Sequence, residues 1–431
     1  MEQKIRPYLS IGIDIGADFS VMAAALPNQE IIGRIYKILH SSPRSVEGAV
    51  ERIRSLEQTY GLPVKIYMES TSIYHLPLYH RLKDAGWEVY VLNPIVTHAN
   101  QNINIRNIHN DKQDARRIAL LGLRPGLKTS IIPDDEIAAV KALLREYHAM
   151  KKETSMYICR LKNQLRQVFP QYLPRFSKVN GKASLAVLAH YPSPDAVLAA
   201  GADALTKLIQ KAAGKGEAMA QKKANDLLAA AQEALAFGHG NDGITFLIGH
   251  YVEMIRTLDE RTAAVLKQVK QSLLERPDSL LTRQTRLLES IPGAGFLTAV
   301  TIICEIGDFS AFRCPKKLYS YFGFDPVVRQ SGNSASADLR MSKRGSPYAR
   351  RCFYMLALQS VSLRKNGEPK NPVLRAYYLE KCKTKAKMTA LGAIIHKLCN
   401  IVFAVLRDDT PFALISPLEH CQKYSSVSQA A

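Results

Sequence analysis

The chain has 431 residues, 47% of them hydrophobic, which is enough apolar material for two or three domains with real cores and excludes a disordered polymer. Its formal net charge of +20 points to a polyanionic partner, of which nucleic acid is the commonest. No apolar run reads as a membrane span, and the N-terminal M-E-Q-K-I-R-P-Y lacks a signal-peptide core, so a cytoplasmic protein is expected.

In chain order, residues 8–16 and 19–26 are short β-type runs separated by Gly16 and Asp18. Residues 31–39 make a third, and the three suit an antiparallel meander. Residues 45–60 have helical spacing, with Val46, Ala49, Val50, Ile53 and Leu56 on one face. Residues 64–69 are strand-like, 74–85 are helical with Gly86 as cap, and 88–92 form a fifth strand ended by Asn93-Pro94. Another helix starts near Asn110. The order β-β-β-α-β-α-β-α is that of the ribonuclease H fold. In that fold, acids on the first strand, the fourth strand and the last helix meet at one edge.

Four carboxylates fall on those elements. Asp14 lies in I-G-I-D-I-G, Glu69 ends V-K-I-Y-M-E, and Asp111 and Asp114 sit in H-N-D-K-Q-D-A-R-R. Any one alone reads as a surface acid or a cap. Four at these positions in a basic protein suit Mg²⁺, with Mn²⁺ as a substitute, held against a phosphodiester. A D-x-G on a first strand also occurs in actin-like ATPases, but the further glycine-rich nucleotide loops of those proteins are missing here.

From Pro133 the character changes. Residues 134–169 and 243–275 are long helical runs, expected to pair antiparallel as a coiled coil or dimerisation arm. Between them, about 171–240, lies an Ala-rich helical insertion. L-L-E-S-I-P-G-A-G-F-L-T-A-V from Leu287 has the form of a helix-hairpin-helix turn, whose exposed backbone N–H groups suit phosphate, or of an ordinary tight helix–helix turn. A polar loop, G-F-D-P-V-V-R-Q-S-G-N-S, carries Ser331. Ser346 and Pro347 open a helix that places Arg350 and Arg351 in its first turns. Residues 338–400 hold fourteen Lys/Arg against three Asp/Glu, so about half of the net charge sits in one segment. Arg340, Lys343, Arg344, Arg350 and Arg351 are the expected phosphate contacts. A lone loop serine is usually a solvated turn residue. Beside these cations, Ser331 is a candidate nucleophile at phosphorus. None of the seven cysteines forms a C-x-x-C pair, so neither a zinc site nor a disulfide framework is indicated.

The whole pattern resembles the DEDD transposases of insertion sequences, a family that includes Piv-like DNA invertases and bridge-RNA-guided recombinases. The matching segments are I-G-I-D-I-G, M-E-S-T-S-I-Y, L-N-P at 92–94, N-D-K-Q-D-A-R, S-I-P-G-A-G at 290–295, and Q-S-G through R-M-S-K-R-G to R-R-C-F-Y-M. Members often show E-A-T-G where this chain has Glu69-Ser70-Thr71-Ser72, and K-T-D where it has Asn110-Asp111; both departures spare the acids. The resemblance implies a RuvC-like catalytic domain over 1–130, a helical oligomerisation region over 131–284, and a mainly α transposase domain over 285–431. It implies that Asp14, Glu69, Asp111 and Asp114 hold the metal and that Ser331 is the nucleophile of a phosphoseryl–DNA intermediate. It further implies donor and target DNA as substrates, a non-coding guide RNA, and a homo-oligomer built as a dimer of dimers. The cell would be bacterial or archaeal, with the protein nucleoid-associated when active. Two other classes stay open: a RuvC-type Holliday-junction nuclease using water, and a non-catalytic nucleic-acid scaffold.

Overall fold

The structure is a computed structural model. It describes residues 7–70, 73–93, 97, 110–127, 129–214, 216–237, 242–327, 330–331, 334–335, 340–415 and 419. The chain divides into two compact units, Met1–Ile132 and Pro133–Ala431.

In the first unit, β1 (Leu9–Ile15), β2 (Phe19–Ala25) and β3 (Ile31–Leu39) form the antiparallel meander. Helix α1 (Pro43–Tyr60) carries the chain over to β4 (Val64–Glu69), which lies parallel to β1. Helix α2 (Leu76–Asp84) leads to β5 (Glu88–Leu92), parallel to β4. Parallel neighbours need such crossovers because a tight turn can only reverse the chain. The sheet order is β3-β2-β1-β4-β5, the ribonuclease H arrangement. Helix α3 (Asp111–Gly122) packs on the sheet, with Ala115 in one small buried cluster beside Val21 and Ala23 of β2, and Ile118 and Leu121 in another beside Tyr67 of β4.

The alternation along β1 fixes which face is which. Leu9, Ile11, Ile13 and Ile15 enter the main core with Ala49, Val50, Ile53 of α1 and Leu78, Leu82 of α2. Ser10, Gly12 and Asp14 therefore face the other side, toward α3.

In the second unit, α4 (Asp135–Val168) and α8 (Asp242–Glu275) run antiparallel. Lys151 bonds Asp259 at 2.9 Å, and eight residues back along α8 Tyr251 meets Tyr157. Between them come a 3₁₀ turn (Pro170–Arg175), α5 (Lys182–His190), α6 (Pro194–Ala213) and α7 (Glu217–Phe237). They share one core with the adjoining ends of the long pair, including Leu161, Leu165, Phe169, Tyr172, Ile248 and Val252.

Helices α9 (Leu280–Glu289) and α10 (Phe296–Ile306) follow, joined by S-I-P-G-A-G. Gly293 has φ +99°, and a Cβ there would meet Gln359 Cβ at 3.0 Å and Ser360 N at 3.2 Å. Ser360 Oγ donates to Pro292 O (3.2 Å) and Phe412 N–H to Ser290 Oγ (2.7 Å), so this turn is tied into the protein. Helix α11 (Pro315–Tyr321) leads to a two-residue ladder of β6 (Gln330–Ser331) with β7 (Ser334–Ala335), and α12 (Pro347–Val361), α13 (Pro372–Cys382) and α14 (Lys387–Asp408) complete the unit. One expectation is corrected. Helix α14 is apolar and long enough, by length and composition, to cross a membrane. Its apolar stripe, including Ile394, Leu398, Val402 and Phe403, is buried, which is the pattern of a core helix.

Candidate active site

The register of the parallel pair sets Ile13 of β1 beside Met68 of β4. One step further along both strands brings Asp14 and Glu69 side by side at the ends of adjacent strands. Tyr67 and Glu69 share the face that α3 covers, since Tyr67 packs on Ile118 and Leu121.

Helix α3 reaches this face by backbone approach. A Cβ at Gly12 would lie 2.1 Å from Ala119 N and 2.4 Å from Ala115 O, so only glycine lets the helix settle there. Ser10 Oγ donates to Ala119 O (2.7 Å) and Tyr8 OH to Gly122 O (2.7 Å). Ser10 thus meets Ala119, and Gly12 meets Ala115 as well. Each two-residue step up β1, about 6.7 Å, matches about one turn back along α3, about 5.4 Å. The next step sets Asp14 against Asp111 and Asp114. Asn110 caps that helix, accepting from Gln113 N–H at 2.8 Å, and both acids sit in its first turn, where the helix dipole favours negative charge.

Electrostatics report the convergence. The Asp14 carboxyl is pushed from 3.8 up to about 7, first by burial, then by the charges of Asp114, Asp111 and Glu69, against one backbone hydrogen bond at Ile15. Among the described residues no three acids, histidines or cysteines are drawn into a finished ion cage. Asp114 bonds Arg117 at 2.8 Å. The donor set nevertheless suits a hard divalent cation. All four groups offer carboxylate oxygens, and a cation among them would offset both the burial and the mutual repulsion that raise the Asp14 pKa.

Ser331 lies in the other compact unit. Its backbone pairs with Ser334 and that of Gln330 with Ala335, while Val328, Arg329, Gly332 and Asn333 of the polar loop expected from the sequence lie outside the described residues. Lower down, Val327 N–H donates to Arg340 O (2.8 Å), Ser342 N–H to Asp325 O (2.8 Å) and Lys343 N–H to Gly323 O (3.0 Å). Arg340, Lys343, Arg344 and Arg351 are exposed, as a phosphate contact requires. Arg350 differs. It is half-buried and donates to the Phe322 and Gly345 carbonyls.

Comparisons with known proteins decide the family. The model of the DEDD transposases of IS110 type, described as "Transposase", matches residues 11–170, and the model described as "Transposase IS116/IS110/IS902 family" matches 285–379. The chain belongs to the IS110-type transposases. The IS110 insertion element 43.6 kDa protein of Streptomyces coelicolor is similar at 24% identity, over 82% of this chain and 84% of that protein. The pilin gene-inverting protein of Moraxella bovis is 32% identical over 38% of this chain and 47% of its own. Among solved structures, Thermus thermophilus RuvC with a Holliday junction substrate matches 26% of this chain and 90% of its own, at 12% identity and TM-score 0.21. As an IS110-type transposase, the chain is a DNA transposase/recombinase.

One charged cluster in this transposase escaped the sequence reading. Glu305 of α10 is buried, yet it receives both Nε and Nη2 of Arg145 at 3.1 Å, with Lys141 Nζ at 3.6 Å. Burial pushes its pKa up, but the Arg145 bonds and the Lys141 charge outweigh that and hold it below the ordinary carboxylate range. The available signal was a single acid inside the apolar run T-A-V-T-I-I-C-E-I.

Proposed function

We propose that this transposase cuts and rejoins donor and target DNA through a phosphoseryl intermediate on Ser331, with Mg²⁺ or Mn²⁺ held by Asp14, Glu69, Asp111 and Asp114. The observation that supports the reading is the placement of Asp14 and Glu69 at adjacent parallel strand ends, with the Asp111–Asp114 turn of α3 brought to the same face by the backbone approach at Gly12. Bound there, the cation would supply charge stabilisation at the phosphate. Ser331 Oγ attacks phosphorus, and the P–Oγ bond forms as the P–O bond to the leaving strand breaks. The proton given up by the serine hydroxyl is balanced by the one the departing strand oxygen takes up, through solvent, to leave as a hydroxyl. In the reverse step, a strand hydroxyl attacks the phosphoserine and Ser331 Oγ departs, so the bond energy is kept for joining without ATP. Arg340, Lys343, Arg344 and Arg351 hold the phosphate backbone. A relative named for inverting a gene supports recombination over hydrolysis, because inversion requires religation.

The proposal extends to assembly and guidance. The long pair α4 and α8 joins subunits into a dimer of dimers, the acids of one subunit meet the serine of another, and the α9–α10 turn meets phosphate in the manner of a helix-hairpin-helix. A non-coding RNA from the element pairs with both DNAs.

The test is a denaturing gel of protein incubated with element-end DNA and its co-purifying RNA. A protease-sensitive DNA adduct is expected, lost in EDTA and in Ser331→Ala, while that variant still binds nucleic acid. Cutting that persists in Ser331→Ala identifies a RuvC-type nuclease. An adduct mapped to Ser334 or Ser336 reassigns the nucleophile, and no chemistry in any condition leaves only the scaffold reading.

A further inference from the structure

Residues 323–327 and 340–343 run as an antiparallel stalk, and within the segment between its strands Gln330–Ser331 pairs with Ser334–Ala335. The base of the stalk is the place where the chain leaves α11 and enters α12. There two backbones touch. A Cβ at Gly345 would lie 2.1 Å from Tyr321 O, and one at Gly323 would lie 2.5 Å from Arg344 N. Gly323 has φ +71° and Lys343, without glycine's freedom, φ +56°. Such a crossing is strained, and it persists only where its surroundings over-determine it.

Arg350 supplies that over-determination. Its Nη1 donates to Phe322 O at 3.0 Å and to Gly345 O at 2.6 Å. One acceptor immediately precedes the outgoing strand and the other follows the returning strand, so a single guanidinium nitrogen spans the neck of the hairpin. Arg350 itself is fixed from behind. It sits in the first turn of α12, where Ser346 caps the helix by accepting from Ala349 N–H (3.2 Å).

We propose that Arg350 is a positioning residue: it locks the neck of the hairpin that presents Ser331, and does not serve as a phosphate contact. The inference rests on the reading of Ser331 as nucleophile. A nucleophile carried on a segment that leaves and returns through one neck depends on that neck for its placement. Loss of an aligned attack geometry lowers the rate of the covalent step without changing how tightly DNA is held.

The experiment uses the full chain with its RNA and element-end DNA. Arg350→Lys keeps the charge but loses the reach and planar fork of the guanidinium. Arg350→Lys and Arg350→Ala should each slow adduct formation at saturating DNA by about tenfold to a hundredfold, as expected for losing charge-assisted hydrogen bonds. DNA affinity should stay within about twofold and its salt slope unchanged, whereas Lys343→Ala should lower that slope by about one. Gly323→Ala, a separate lesion at the same neck, should reproduce the Arg350 pattern. Wild-type adduct rates in Arg350→Lys, or a reduced salt slope in either variant, would overturn the proposal.

Hydrogen exchange at the amides of Val327, Ser342 and Lys343 reads the neck without any chemistry. Protection should fall in both Arg350 variants, and unchanged protection refutes the lock. Lost protection together with an adduct that survives Ser331→Ala refutes the nucleophile assignment and leaves the lock standing.

Discussion

Replacing Asp14 by Asn removes the group whose ionisation is opposed first by burial and then by the other three acids. The sign follows from linkage. Below its ordinary value of 3.8 the carboxyl is neutral in both folded and unfolded chains. As pH climbs to about 7 the unfolded chain releases the proton while the folded one keeps it, so wild-type stability falls across that window and levels off above it. At about 1.4 kcal/mol per pH unit the full effect would approach ~4 kcal/mol. Asp14 keeps contact with solvent, and screening reduces the expected gain of Asp14→Asn at pH 8 to about 1–2 kcal/mol, vanishing near pH 4. The chain has one tryptophan, Trp87, buried in the core of the first unit, so its fluorescence in a urea titration reads this unit selectively. Saturating Mg²⁺ at pH 8 should stabilise wild type, by about 2.7 kcal/mol at a hundred times its dissociation constant, and Asp14→Asn much less. A difference between the two proteins that is independent of pH, or a wild type indifferent to Mg²⁺ and Mn²⁺, would refute the reasoning.

Gly12→Ala should destabilise the first unit by about 2 kcal/mol or more, because the added methyl meets the α3 backbone. The Trp87 urea midpoint measures it, and DNA cleavage should fall with it as Asp111 and Asp114 move off β1; a stable, active variant would show that the helix has room. Glu305→Ala strands Arg145 and Lys141 and should cost about 3 kcal/mol at neutral pH. Since the pairing holds the Glu305 pKa low, that cost should shrink as pH falls into the carboxylate range; far-UV circular dichroism during urea unfolding at pH 7 and pH 4 checks both size and trend.

What was legible in the chain was whatever is written locally. The alternation of β1, the apolar period of the two long helices and the Asn110 cap each place an element within a residue or two of its observed bounds. The position of all four acids followed, because strand ends and a helix start are local properties. The neck of the Ser331 hairpin was not legible. Its partners, Gly323, Gly345 and Arg350, are joined by a crossing that no local period announces, and R-R reads as surface charge whether or not one guanidinium is engaged. Glu305 was hidden for a related reason: an acid inside an apolar run makes sense only once Arg145, far away in the chain, is beside it.

The order of elements in the first unit bears on how the protein is made. Asp14 and Glu69 emerge early from the ribosome, but Asp111 and Asp114 belong to the last helix of the unit. A growing chain therefore holds half of its acids while it is still surrounded by ribosomal RNA, itself a phosphodiester polymer. The carboxylates gather only after the sheet exists and α3 has docked on Gly12. Synthesis thus builds in a delay: the four carboxylates come together only once the unit carrying them has left the tunnel and folded.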